Sequence, residues 1–150
     1  LVVIKSISKS YGVPGLRLGL LATSNYLLMT NLRRSVSIWN INSFAEFFLQ
    51  ILGKYERSYA QAMDDFRAER ERFVVELQTI DYLRVIPSEA NYLLCEVLPP
   101  HTPRELAINL LKQHNILIKD CTSKCHAPYI RLAVRDTKDN NCLIEALKTL

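Results

Sequence analysis

The chain is 150 residues long, enough for one compact domain or for part of a larger one. Hydrophobic residues make up 49% and charged residues 23%, which excludes a disordered or collagen-like chain. The formal charge of +4 is small, and the densest charged run, 64–72, mixes both signs, so the sequence predicts no nucleic-acid stripe. No apolar run reaches the ~20 residues that a membrane span needs, and a cytoplasmic protein with no membrane or nucleic-acid partner is expected.

Residues 2–4 read as a buried strand with no lead-in and no preceding signal peptide, so the expectation is a piece whose N-terminal half is missing. Residues 5–15 read as a polar connection punctuated by glycine, and 16–23 as a second apolar strand whose one charge is Arg17. Helical periodicity follows over 25–35 and 43–52, the two separated by Trp39, Asn40, Ile41 and Asn42. Tyr55, Tyr59, Met63, Phe66, Phe73, Leu77 and Ile80 then mark one buried stripe of a long helix, with Asp64, Arg67, Glu71 and Arg72 opposite. At roughly 25 residues this helix would be almost 40 Å long and could join two domains.

Beyond it the pattern shortens. Residues 82–86 and 91–97 read as strands. Thr102, Pro103 and Glu105 open a helix with a capping-box signature. Strands are expected at 116–119 and 129–134, and Thr137 opens a last helix. The mixture predicts an α/β fold, with a ββαββα unit from about residue 83. Trp39 is expected in a core, and Arg135, on the same strand face as Arg131, in solvent. Tyr11 is left open between the core and the neighbourhood of Lys9, and Asn42 between a loop cap and a subunit contact.

Glycine is scarce: the chain has 4, and Gly12, Gly15 and Gly19 fall within eight positions. Such clustering marks a place where the backbone takes an unusual path or approaches a ligand closely. Three hydroxyls (Ser6, Ser8, Ser10), Lys9 and Arg17 share that segment. Hydroxyls and a guanidinium suit phosphate oxygens, and a lysine held beside them can form an imine with an aldehyde. The segment is no nucleotide loop, because Lys9 precedes all three glycines rather than following the last. Cys121, Cys125 and His126 form a C-x3-C-H run without a second ligand pair, so no metal site is expected. The thiols are expected to be reduced, and His101, His114 and His126 follow no metal spacing.

Residues 6–19 match the S-x-S-K-x-x-G-x-x-G-x-R-x-G signature through Ser6, Ser8, Lys9, Gly12, Gly15, Arg17 and Gly19. In this the sequence resembles the fold-type I pyridoxal-phosphate enzymes, aminotransferase class I and II. Trp39 to Ser43, Pro87 to Tyr92, Ile116 to Asp120 and Tyr129 to Leu132 resemble further family segments, so the likeness spans essentially the whole chain. The branch it resembles most is that of histidinol-phosphate aminotransferase and threonine-phosphate decarboxylase.

The resemblance implies a fold: residues 1–53 would end the large cofactor-binding domain, 54–82 would connect, and 83–150 would form a small C-terminal α/β domain. It also implies roles. Lys9 would be the Schiff-base lysine and the acid–base catalyst, with Lys5 a weaker candidate that lacks the flanking pattern. Ser6 and Arg17, with Ser8 assisting, would hold the phosphate of pyridoxal 5′-phosphate. Arg131 would take the substrate α-carboxylate. Lys119 stands where the phosphorylated-substrate branch has a substrate-binding arginine; it keeps the charge without the planar fork. The implied activity is amino transfer between an amino acid and a 2-oxo acid in a homodimer. The alternatives are decarboxylation of a phosphorylated amino acid and a non-catalytic α/β interaction module. The family's partner for the pyridine nitrogen precedes the lysine, so this piece alone is expected to be inactive.

Overall fold

The computed structural model describes residues 1–150, which form two compact units, Leu1–Ala62 and Met63–Leu150. The boundary lies inside the long helix. Each unit has its own buried cluster.

In the first unit, β1 (Val2–Ser6) and β2 (Gly19–Thr23) pair antiparallel, with Ser6 opposite Gly19. The connection between them is not a plain loop: it folds into one helical turn, α1 (Ile7–Ser10), and a 3-10 turn, Pro14–Leu16. Helix α2 (Tyr26–Ser35) is capped by Asn25, whose Oδ1 accepts the Leu28 N–H at 3.0 Å. Helix α3 (Ser43–Ile51) is capped in the same way by Asn42, through the Ala45 N–H at 3.0 Å. A 3-10 turn, Leu52–Tyr55, leads into α4 (Glu56–Leu77). Gly53 sits in that turn at an ordinary φ, so no left-handed cap ends α3.

The expected burial of residues 2–4 and of Trp39 does not hold in this chain. All five β1 residues are exposed, because β1 and β2 form a two-stranded ribbon with no covering layer. Trp39 is 90% exposed in the α2–α3 connection. The buried cluster of this unit is small: Ile7, Leu18 and Ala45, with Tyr11, Val13, Leu16 and Phe48 packed on it.

The second unit is a two-layer α/β structure. Strands β3 (Leu83–Ile86), β4 (Tyr92–Val97), β5 (Lys119–Asp120) and β6 (Tyr129–Ala133) form an antiparallel sheet of order β3-β4-β6-β5. Alternation assigns its faces. Leu93, Cys95, Val97, Ile130 and Leu132 point into the core, where they meet Phe73 and Leu77 of α4. Leu106 and Leu110 of α5 (Pro103–His114) and Leu143, Ile144 and Leu147 of α7 (Thr137–Lys148) complete it. Burial in this core pushes the Cys95 thiol up to about 12. A single helical turn, α6 (Thr122–Cys125), interrupts the path from β5 to β6.

Two details depart from the expected pattern. The strand predicted over 116–119 is reduced to Lys119–Asp120, because Asn115 takes a left-handed conformation at the end of α5. This directs the Ile116 N–H back to the Leu110 carbonyl at 3.1 Å. The apolar stripe of α4 is also graded: Tyr55 is exposed, Tyr59, Met63 and Phe66 are half-buried, and Phe73 and Leu77 are fully buried. Arg70 lies on that buried side and reaches out to pair with the exposed Glu89.

The start of α7 is tied to α4 by a polar network. Asn140, 1% exposed, donates to Glu69 Oε1 at 2.8 Å and to the Arg135 carbonyl at 2.9 Å, and accepts the Arg135 N–H at 3.0 Å. Thr137 also donates to Glu69, at 2.8 Å. The Arg72 guanidinium donates twice to Glu69 and is the main reason its carboxyl is held down at about 2, with Asn140 and Thr137 adding to that pull against the cost of burial. A carboxyl depressed in the folded state stabilises above its ordinary value of 4.5, and that contribution fades as pH falls toward about 2. The Tm advantage of the native protein over Glu69→Gln should therefore be constant above about pH 5 and shrink progressively below it. Parallel Tm curves across that range would show that the carboxylate charge contributes nothing.

Candidate functional site

The Lys9 segment is positioned by backbone hydrogen bonds rather than by its glycines alone. The Ile7 N–H donates to the Leu18 carbonyl at 3.1 Å, which extends the β1–β2 pairing into α1. The Tyr11 N–H closes the turn on Ile7, and the Val13 N–H donates to the Ser8 carbonyl at 3.0 Å. Ser6 thus sits at the strand end facing Gly19, Ser8 is buried beneath the turn, and Lys9 projects from it exposed. Arg17 lies one residue before Leu18, so Ser6, Ser8, Lys9 and Arg17 gather at one end of the hairpin. Lys5, the weaker lysine candidate, lies within β1 opposite Leu20, outside the turn.

The glycines contribute unequally. Only Gly12, at φ +66°, occupies the left-handed region that disfavours side chains. Gly15 has open space where a side-chain carbon would stand, and at Gly19 such a carbon would rest at 3.4 Å from the Lys5 carbonyl, an ordinary contact. The second left-handed residue of the segment is Arg17 itself, at φ +54° and ψ +36°. A side chain at that conformation costs on the order of 1 kcal/mol, and such strain concentrates where function fixes a side chain. Asn42 helps to hold it: beyond capping α3, its Nδ2 donates to the Leu16 carbonyl at 3.1 Å, immediately before Arg17.

The remaining candidates lie in the second unit. Lys119 of β5 and Arg131 of β6 are direct cross-strand partners, so both emerge on the sheet face opposite the core. Both are exposed, and neither is ion-paired to an acid. The Arg131 guanidinium stands over the Tyr92 ring, 5.3 Å from its centroid. Arg135, beyond the end of β6, is exposed as expected and pairs with Asp139. A cavity of about 340 Å³ opens where residues 116–118 diverge from β6, with Arg131, Arg135 and Asn140 among its walls.

Sequence reasoning did not find the roles of Tyr59 or Tyr92 around these groups, whereas the capping role left open for Asn42 is the one seen at the start of α3. Tyr59 read as one more member of an apolar stripe, although its hydroxyl donates to the Ser10 carbonyl at 2.8 Å. Nothing in spacing alone signals a contact across 49 residues.

Arg17→Gly should raise stability by up to about 1 kcal/mol by relieving the left-handed backbone, as read from chemical denaturation. A loss of stability would show that the guanidinium contributes more to folding than its backbone costs.

The family profile for aminotransferase class I and II matches residues 1–147. The chain is 34% identical over 149 residues to the CMP-5'-(3-aminopropyl)phosphonate synthase of Streptomyces rubellomurinus, covering 97% of this chain and 24% of that protein. It is 33% identical over 153 residues to the threonine-phosphate decarboxylase of Salmonella typhimurium, covering 99% of this chain and 40% of that protein. The crystal structure of the histidinol-phosphate aminotransferase from Clostridium acetobutylicum superimposes with a TM-score of 0.88 at 30% identity, over 99% of this chain and 45% of that one. The chain thus spans less than half the length of these relatives. A profile match across nearly every residue, a shared fold and relatives at this identity lead to one conclusion: the chain belongs to the pyridoxal-phosphate-dependent aminotransferase class I and II family.

Proposed function

We propose that the complete enzyme holds pyridoxal 5′-phosphate through Lys9 and exchanges an amino group between an amino acid and a 2-oxo acid. The observation that supports this is the gathering of an exposed lysine, a serine hydroxyl and an arginine at one end of the β1–β2 hairpin. The donor set fits the cofactor: an amine for its aldehyde, and a hydroxyl and a guanidinium for its phosphate. When bound, the cofactor supplies an aldehyde that condenses with amines and a ring that accepts the electron pair of a Cα bond.

Lys9 anchors the cofactor in the resting enzyme. Once displaced by substrate, its amine would carry a proton between the substrate Cα and the former aldehyde carbon of the cofactor, acting as general base and acid. Ser6 and Arg17 grip the phosphate, with Ser8 assisting from the buried side of the turn. The left-handed backbone at Arg17 aims the guanidinium at a cost to the fold, as expected of a group placed for binding.

Arg131 orients the substrate through a bidentate contact to its α-carboxylate, and Tyr92 steadies the guanidinium. Lys119, directly across from it, meets an anionic group on the substrate side chain. Two like charges opposite one another on neighbouring strands repel, and a substrate with two anionic groups relieves that repulsion. Residues 1–53 end the large domain, 54–82 connect, and 83–150 form the small domain of a homodimer. The chain spans less than half the length of these relatives, and we expect the 150 residues alone not to turn over.

A second reading, decarboxylation of a phosphorylated amino acid, is supported by the similarity to threonine-phosphate decarboxylase. The two readings use the same anchor and differ in whether the Cα–H or the Cα–carboxylate bond breaks. Assaying released carbon dioxide against 2-oxo acid product separates them.

Lys9→Ala should abolish the visible absorption of the bound cofactor and reduce turnover to background; retained turnover would refute the assignment. Lys119→Ala should raise KM about tenfold or more for substrates with an anionic side chain and leave neutral analogues unchanged. Equal effects on both classes would remove Lys119 from substrate recognition.

A further inference from the structure

The turn that carries Lys9 has one carbonyl whose partner comes from far along the chain. Within the segment, the Ile7 carbonyl is taken by Tyr11, the Ser8 carbonyl by Val13, and the Lys9 carbonyl by Gly12 at a long 3.4 Å. The Ser10 carbonyl, which follows Lys9 directly, receives the Tyr59 hydroxyl at 2.8 Å. The next residue is gripped as well: the Tyr11 ring stacks on the Tyr59 ring at 4.5 Å, 24° from parallel, with the edge of Phe48 at 6.1 Å. One side chain therefore holds the two residues that succeed Lys9, one by a polar contact and the other by a ring face.

A four-residue turn has little stability of its own, because helix nucleation is unfavourable. Its N-terminal side is fixed by β1 and by the buried Ile7 and Ser8. Its C-terminal side, where Ser10 and Tyr11 are only half-buried, depends on Tyr59. Tyr55 is the natural comparison. It lines the same aromatic pocket beside Tyr11 and Phe48, yet it is 58% exposed, and its carbonyl accepts from Ser58.

We infer that Tyr59 is a positioning residue for Lys9: its hydroxyl bond to Ser10 and its stack on Tyr11 set the direction in which the Lys9 amine is presented. This rests on the reading of Lys9 as the cofactor-bearing residue. Loosening the turn would leave substrate binding, assigned to Arg131 and Lys119, untouched while misplacing the group that moves the Cα proton.

The test compares the cofactor-loaded enzyme with its Tyr59→Phe, Tyr59→Leu, Tyr55→Phe and Lys9→Ala variants, well below every Tm. Tyr59→Phe should lower kcat about three- to tenfold at unchanged KM, the range expected for one lost hydrogen bond. It should also weaken the visible circular dichroism per bound cofactor and speed amide exchange at residues 11–13 by a similar factor. Tyr59→Leu, which loses the stack as well, should go further in the same order, and Tyr55→Phe should match the native enzyme. Tyr59 variants that keep native kcat and dichroism, with or without a lower Tm, overturn the inference, as does a Tyr55→Phe effect of equal size. Retention of the cofactor band in Lys9→Ala would instead mark failure of the reading of Lys9, so the two failures are distinguishable.

Discussion

The placement of Lys9 depends on a helical turn four residues long that cannot maintain itself. Everything around it supplies what the turn lacks. Strand β1 delivers the chain to it, and the Ile7–Leu18 backbone bond fastens it to the start of β2. The small cluster of Ile7, Leu18 and Ala45 lies directly beneath, so the buried centre of the first unit is also the footing of the turn that carries Lys9. Helix α3 joins through Ala45 and through Asn42, whose side chain ties the helix N-terminus to the carbonyl before Arg17. Burial is thus concentrated beneath the turn, while β1, Trp39 and the outer faces of α2 and α3 are left exposed.

The second unit solves a different problem with the same economy. A sheet with one apolar face needs only one covering layer, and α4, α5 and α7 provide it. The uncovered face is then free to display charge, and it places Lys119 and Arg131 side by side. Register does this work: slipping β5 by one residue would turn Lys119 toward the core and put Asp120 in its place. The buried Asn140, holding both backbone groups of Arg135, fastens the chain just beyond β6 to Glu69 of α4.

Much of this was legible in the sequence, for identifiable reasons. The Ser-x-Ser-Lys segment with its spaced glycines and Arg17 carries its chemistry in local order, so it can be read without a structure. The start of α5 was legible because Thr102, Pro103 and Glu105 act within one helical turn. What could not be read were consequences of distant packing. Trp39 and residues 2–4 have the composition of a core, but burial depends on what covers them. Three glycines suggested three special backbones, yet the left-handed positions fall on Gly12 and Arg17. The 116–119 strand was shortened by a left-handed Asn115, a conformational choice made by the helix end rather than by β propensity. Tyr59 and Asn140 act across 49 and 71 residues respectively, beyond any local pattern.

In the function proposed for this chain, one particular amine, that of Lys9, carries the cofactor. Reduction of the cofactor-loaded enzyme with borohydride, followed by proteolysis and peptide mass spectrometry, addresses it directly. The expected result is a pyridoxyl phosphate adduct on Lys9 and none on Lys5. An adduct on Lys5, or none within this chain, would contradict it.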